Sequence, residues 1–280
     1  MKLYLDQTVK ARGIMRVVDA MRDYAPSDVK FVDKPREADV CVYQIIGRLQ
    51  QNTDMIKSHG MPYVLFQHAW KSTQKPTASA WMPLWMGARL VWSHYDLPLP
   101  PDKFHRSALG ADEVFWNKPK KRKWLVMTTG MSYLTEGVRE CIKAAEGVGR
   151  VLHLGPDVSR GHEHVDCVSG ISDKELANLM RQCRYVCGLR RKEGFELPCV
   201  EGLFSGARPI FFSQPHYKHW FQDIAEYVPE EDRIGVEESL TRLFRTPERK
   251  ITSDETFYAE KNFDWKVIIP TFYSKLYANS

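Results

Sequence analysis

The sequence predicts two α/β domains in tandem, each built on parallel strands with crossovers between them. Three observations carry this. Short runs rich in β-branched and aromatic residues recur through the first half, separated by stretches that fit helices or loops. A basic, proline-containing interruption, NKPKKRK at 117–123, is followed at once by a fresh apolar run. The second half then alternates strand and helix patterns more clearly than the first.

Taken in order, KLYLD opens as a strand, and Ile14, Val17, Val18 and Met21 fall at helical spacing after Gly13. DVCVYQII (39–46), YVLFQ (63–67) and RLVWS (89–93) read as further strands. NKPKKRK reads as a solvated hinge, so the domain boundary is placed there, and KWLVMTTG restarts the pattern as a strand. A helix over about 135–146 precedes the strand RVLHLG. SDKE at 172–175 has capping-box form and opens a helix through Gln182. The strands YVCGL and PIFF then flank the stretch EGFELPCVEGLFSGARP, residues 193–209. There is no internal repeat or low-complexity segment.

With 43% hydrophobic and 27% charged residues in 280, the chain has the composition of a soluble globular protein with sizeable cores. A formal charge of +5 permits an anionic partner without demanding one. MKLYLDQTVKARG meets Asp6 before a secretory apolar run can form, and Trp81 to Trp92 is too short to span a bilayer. The six cysteines show no zinc-ligand spacing, although Cys183 and Cys187 could share a helix face. They read as reduced core thiols of a cytoplasmic protein.

The stretch at 193–209 poses the functional question. After the strand YVCGL, the loop RRKEGFELP turns into a helix beginning near Cys199, with Pro198 in its first turn, where a missing N–H is harmless. Free amides at a helix start attract phosphate. Glu201, placed in the first turn, cannot help to bind phosphate, but its carboxylate can accept two hydrogen bonds from vicinal hydroxyls such as those of a ribose. An ordinary βαβ connection with solvated glutamates would show the same residues.

The pattern Glu193-Gly-Phe-x-Leu-Pro-x-x-Glu201-Gly-x-x-x-Gly206-x-x-Pro209 resembles the signature of the group 1 glycosyltransferases, the retaining family of GT-B fold. Other segments match in order: Gly13-Ile-Met-Arg-Val resembles the family's first loop and helix, and His68 its acceptor-side histidine. ALGADEVFW resembles the segment before the interdomain linker, GISDKELANLM the start of the helix before the donor site, and FDWKVIIPTFYSKLY the closing helix. The resemblance implies two Rossmann-like domains facing across a cleft, with the last helix crossing back to the first. The boundaries it suggests are an acceptor-side domain at 1–120, a nucleotide-sugar domain at 121–255 and the crossing helix at 256–280.

It further implies a metal-independent transferase using a nucleoside diphosphate sugar, with UDP as the expected nucleotide and no other cofactor. Glu201 would hold the ribose and Glu193 the transferred sugar. His68 would lie near the reacting centre. Gly13, Ser132, Gly194, Phe195, Glu196 and Leu197 would face the donor. Two departures stand out. Met131 and Glu136 occupy the places of the family's diphosphate-binding arginine and lysine, and Glu196 replaces a glycine. Arg190 or Arg191 is therefore expected to take over the clamp, with Thr129 and Ser132 near; the same arginines could instead balance Glu193 and Glu196. Arg160, in the loop after another strand, is a further cation.

The acceptor is expected to be a glycan or lipid-linked sugar, or a hydroxymethylated DNA base as for phage-type enzymes, the last slightly favoured by compact size and basic balance; the protein would then lie in a bacterium's cytoplasm or in a host cell. Trp70, Trp81, Trp85 and Trp92, with Lys71, Lys75 and Arg89, could stack on sugars or bases or simply pack a core. A sugar-nucleotide-binding protein with impaired catalysis is the alternative.

Overall fold

The computed structural model describes residues 1–69, 77–116, 118–191 and 195–279. The chain divides into two compact units, each a six-stranded, all-parallel sheet flanked by helices. Unit 1 comprises Met1–Leu109, Lys192–Phe195 and Asp264–Ser280; unit 2 comprises Gly110–Arg191 and Glu196–Phe263.

Unit 1 runs β1 (Lys2–Leu5), α1 (Arg12–Asp23), β2 (Lys30–Phe31), β3 (Val40–Ile45), α2 (Leu49–His59), β4 (Tyr63–Gln67), α3 (Ala78–Gly87), β5 (Leu90–Ser93) and β6 (Phe104–Arg106). Its strand order is β2-β1-β3-β4-β5-β6. β3 is buried along its whole length, as a strand in a parallel sheet covered on both faces must be. α1 forms where the 3.6-residue spacing put it: Val17, Val18 and Met21 are fully buried, each stabilising by about 1.5–3 kcal/mol relative to exposure. Trp81, Trp85 and Trp92 are all fully buried. They pack as core and present no stacking face to solvent; Trp70, Lys71 and Lys75 lie outside the described residues.

Unit 2 runs β7 (Trp124–Thr129), α4 (Val138–Ala145), β8 (Val151–Leu154), β9 (Val165–Val168), α5 (Asp173–Met180), β10 (Cys183–Cys187), α6 (Leu197–Phe204), β11 (Arg208–Phe212), α7 (Pro215–Phe221), β12 (Glu226–Val228), α8 (Arg233–Arg245) and α9 (Ser253–Phe263). The strand order is β12-β11-β10-β7-β8-β9. Val126, Ile142, Val151, Phe212 and Leu240 are among the residues of its core. The capping box at α5 forms as the sequence predicts: Ser172 Oγ accepts from Glu175 N at 3.3 Å, and Glu175 Oε2 accepts from Ser172 N at 2.8 Å.

Several expectations need correction. The helix expected from about 135 begins at Val138, because Gly137 takes φ +80° and a side chain there would strike Cys187 Sγ at 2.8 Å. Cys183 and Cys187 lie on strand β10, not on a helix face. The units divide after Leu109 rather than at 120, since the segment from Gly110 onward packs into unit 2. Ala111 N donates to Phe263 O at 3.0 Å, and Ser205 Oγ to Phe115 O at 3.0 Å.

The basic run is solvated at Lys118, Lys120 and Lys121, as expected, but it is tied down. Lys120 N donates to Arg181 O at 2.8 Å, and Arg122 Nη2 reaches Gly206 O at 2.6 Å while pairing with Glu248 at 2.8 Å. Its Asn117 lies outside the described residues. The final switch of units falls at Asp264, not 256. Asp264 accepts from Lys266 N at 2.8 Å and so starts α10 (Trp265–Ala278). That helix packs in unit 1, where Phe272 meets Trp92 at 5.1 Å and Tyr273 donates to Met21 O at 2.8 Å.

Candidate functional site

In unit 2 the chain leaves β7 through α4 toward β8 on one side, and leaves β10 through α6 toward β11 on the other. The two central strands therefore open a crevice at their carboxyl ends, the place where ligands bind in open α/β sheets. Thr129 ends β7, and Arg190 follows β10 by three residues. Arg190 is 8% exposed. Its Nη1 donates to Glu136 O, and to Leu189 O at 3.1 Å. Nη2 donates to Thr129 O at 2.5 Å and to Thr129 Oγ1 at 3.4 Å. A planar fork thus ties the two ends of the β7–α4 loop together through these carbonyls.

Arg191 is placed differently. Its backbone N–H donates to Glu136 Oε2 at 2.7 Å, its Nη1 to Glu136 Oε1, and its Nη2 to Glu231 O at 2.6 Å. Glu230 lies 3.7 Å from Nε, and the guanidinium sits 4.5 Å over the Phe212 ring. Glu136 is thus committed to Arg191. Met131 is 81% exposed. Ser132 is exposed in the same loop, its N–H on Thr135 Oγ1 at 3.0 Å.

Helix α6 begins at Leu197 with Glu196 as its N-cap residue, which supplies no side-chain cap, and Pro198 follows. The amides of Cys199 and Val200 both turn to Glu196 O, at 3.0 and 3.4 Å. Glu201 therefore sits one turn into the helix rather than in its first turn, because the helix starts two residues earlier than the sequence suggested. It is 1% exposed, and Glu196 4%. Gly202 fixes the depth of the helix: a Cβ there would meet Val186 Cγ2 at 2.4 Å, so α6 can lie close on β10 only with glycine at that position. Glu193 and Gly194 lie outside the described residues, and Phe195 is counted with unit 1.

One residue escaped sequence reasoning. His153 in β8 is fully buried, with Nδ1 3.0 Å from Thr128 Oγ1. Burial holds its pKa below the ordinary imidazole value, the Gly130 carbonyl works against that, and Arg190 adds to it. A polar residue alone in the apolar strand VLHL was the available signal.

In unit 1, Gly13 lies in the first turn of α1. His68 follows β4, half-buried, with its ring 3.9 Å from that of Phe66. Its Nε2 lies 2.6 Å from Gln44 Oε1, so with that oxygen as acceptor Nε2 carries the proton and Nδ1 the lone pair. Burial holds its pKa far below the usual value, and the ring is neutral at pH 7. Around it, Gln44, Gln67 and Ser93 are buried at the carboxyl ends of β3, β4 and β5, Ser93 Oγ donating to Gln67 O at 3.0 Å.

No protein-family model matches the chain, and neither does any curated protein. Solved structures do resemble it. HepE from Anabaena, in complex with UDP-glucose, aligns over 99% of both chains at 13% identity with a TM-score of 0.77. Sucrose-phosphate synthase from Thermosynechococcus elongatus covers 100% of this chain and 99% of its own at 11% identity, TM-score 0.67. A glycosyltransferase from Rickettsia africae covers 99% and 98% at 9% identity, TM-score 0.69. At these identities the likeness is one of fold, the GT-B architecture.

Proposed function

We propose that the protein is a metal-independent glycosyltransferase that moves a sugar from a nucleoside diphosphate sugar, with UDP as the nucleotide, to an acceptor hydroxyl with retention of configuration. The observation that carries this is the meeting, at the β7/β10 crevice, of a buried arginine, a helix start and a buried carboxylate one turn further in. Arg190 and the start of α6 meet a diphosphate as it becomes the leaving group. Glu201 accepts the two ribose hydroxyls. HepE, of the same fold, is seen with UDP-glucose, which supports the choice of donor. Glu193 takes the hydroxyls of the transferred sugar, and His68, uncharged, offers an acceptor lone pair to the incoming hydroxyl. Trp81, Trp85 and Trp92 are consumed by the core and offer a stacking face to neither a sugar nor a base, so the acceptor is a glycan, a lipid-linked sugar or a hydroxymethylated DNA base.

The test is a thermal-shift panel of nucleoside diphosphate sugars on the intact chain. Donor at a hundredfold excess over its dissociation constant adds about 2.7 kcal/mol of stability. Glu201→Ala is expected to abolish that gain while leaving the unliganded melting transition cooperative. A full response retained by Glu201→Ala would remove the reading. Slow release of UDP without acceptor separates a transferase from a pure sugar-nucleotide binder, and the anomer of the product reports retention. A flat salt response of acceptor binding excludes a nucleic acid.

A further inference from the structure

The run KPKKRK plays no part in the crevice just described, yet it forms one wall of a cavity of about 690 Å³ whose lining residues all belong to unit 2. That volume is within the range of about 300–1,000 Å³ typical of small-molecule sites. Its floor is apolar: Trp116 lies flat on Phe204, ring centroids 4.7 Å apart and planes 8° off parallel, with Ile251 beside them. Its rim is predominantly cationic, with Glu260 and the Arg122-paired Glu248 as its carboxylates. Lys118, Lys121 and Lys250 line it and are exposed, whereas the fourth lysine is drawn off to Asn178 Oδ1 at 2.7 Å and Arg122 is spent on Glu248.

Charge and shape together narrow the ligand. A purely apolar molecule would leave the lysines unanswered, and inorganic phosphate would leave the floor wet. The carbonyl of Gly206, which could have read a polar ring, is already taken by Arg122 at 2.6 Å. The indole Nε1 of Trp116 is a buried donor with no acceptor among the described residues, a further demand for a ligand oxygen. We propose that this cavity binds an anionic amphiphile, a phosphate monoester on an aliphatic chain. The phosphate lies among Lys118, Lys121 and Lys250, and the chain lies over Trp116, Phe204 and Ile251. The site is separate from the nucleotide-sugar crevice and stands or falls without it.

Isothermal titration of the full chain with dodecyl phosphate below its micelle concentration tests this, alongside dodecyl maltoside and inorganic phosphate. Dodecyl phosphate is expected to bind one to one, and at least about tenfold tighter than either comparison ligand. The triple variant Lys118→Gln, Lys121→Gln, Lys250→Gln changes only exposed side chains. It should lose about tenfold or more in affinity while keeping its melting temperature and its response to UDP-sugars. Ile251→Asn should weaken the amphiphile and leave inorganic phosphate unchanged. Equal binding of the maltoside or of inorganic phosphate overturns the proposal, as does a triple variant that binds like the parent. Loss of the UDP-sugar response with amphiphile binding intact would strike the donor site alone.

Discussion

At the carboxyl ends of β3, β4 and β5 in unit 1 the buried polar side chains are neutral: Gln44, Gln67 and Ser93, with His68 kept uncharged by burial beside them. At the carboxyl ends of β7 and β10 in unit 2 charged side chains gather: Arg190, Glu196 and Glu201 buried, and Arg191 paired with Glu136 at partly exposed positions. The same sheet geometry is furnished for two chemistries. Amides and a neutral imidazole exchange hydrogen bonds with hydroxyls and gain little from a charged ligand. A buried guanidinium gives an anion a charged, planar partner. The difference agrees with the proposed reading, in which unit 2 would take the diphosphate and unit 1 the uncharged acceptor.

The sharpest way to break that contrast is to ask whether unit 2 tolerates buried charge generally or only as pairs. Arg208 is 1% exposed and forms a bidentate pair with Glu255 at 2.9 and 3.0 Å, with Glu226 at 3.7 Å and the carbonyls of Arg249 and Lys250 at 3.0 Å. Burial alone would raise the Glu255 pKa, yet the hydrogen bonds and charge of Arg208 hold it below the usual value. Arg208→Ala should destabilise the protein by ~3–5 kcal/mol, because it strands Glu255. A loss under ~1 kcal/mol in chemical denaturation would mean that the carboxylate finds water or Arg249 instead, and that charge is cheap in this unit.

Next in size is the split between the two arginines. Arg190→Ala should weaken UDP-sugar binding by about tenfold or more, through the lost charge and the freed loop. Arg191→Ala, whose charge is answered by Glu136, should shift affinity by less than about threefold. Arg190→Lys keeps the charge but cannot bridge Thr129 O and Glu136 O, so it should recover only part of the loss. Equal effects of Arg190→Ala and Arg191→Ala would erase the distinction drawn from their partners.

Acid sensitivity tests the neutral side of the comparison. Burial lowers the His105 pKa to about 3, with Lys275 adding to the effect, and His153 is lowered in the same direction. The native rings stay neutral while the unfolded chain takes up protons below about pH 6.5, so stability falls as pH falls through the window between the two values. Each such histidine contributes a slope approaching about 1.4 kcal/mol per pH unit. His105→Gln should flatten the unfolding free energy between about pH 6 and 4.5 by about one proton's worth. An unchanged slope would show that the ring is protonated in the native state.

Much of this was legible beforehand, and for a physical reason. YVLFQ became β4 at the expected residues, and α5 begins at its expected cap, because periodicity and capping are local properties of the chain. The short strands β2, β6, β9 and β12 were missed: they span two to four residues and exist by pairing with distant neighbours, Lys2 with Lys30 for instance. KPKKRK misled because charge density says nothing of the carbonyls at Arg181 and Gly206, 59 and 84 residues from Arg122, that hold it. At the site, the Glu201 motif was readable as a spacing. The division of roles between Arg190 and Arg191 was not, since adjacent residues of one type differ only in what surrounds them.

The smallest effect is the most discriminating for that last point. Glu136 looked hostile to a diphosphate in the sequence, and in the structure its carboxylate accepts from both the backbone and the side chain of Arg191. The pair is partly exposed, with side chains 33% and 27% accessible, so its worth to stability is about 1 kcal/mol or less. Glu136→Gln should therefore alter the affinity for UDP-sugars by less than about threefold, because Arg191 already cancels the charge. A gain of tenfold or more on that single change would show that the carboxylate still repels the donor. The ionic end of unit 2 would then be only partly neutralised, and its preference for anions would rest on Arg190 working against a neighbour rather than alongside one.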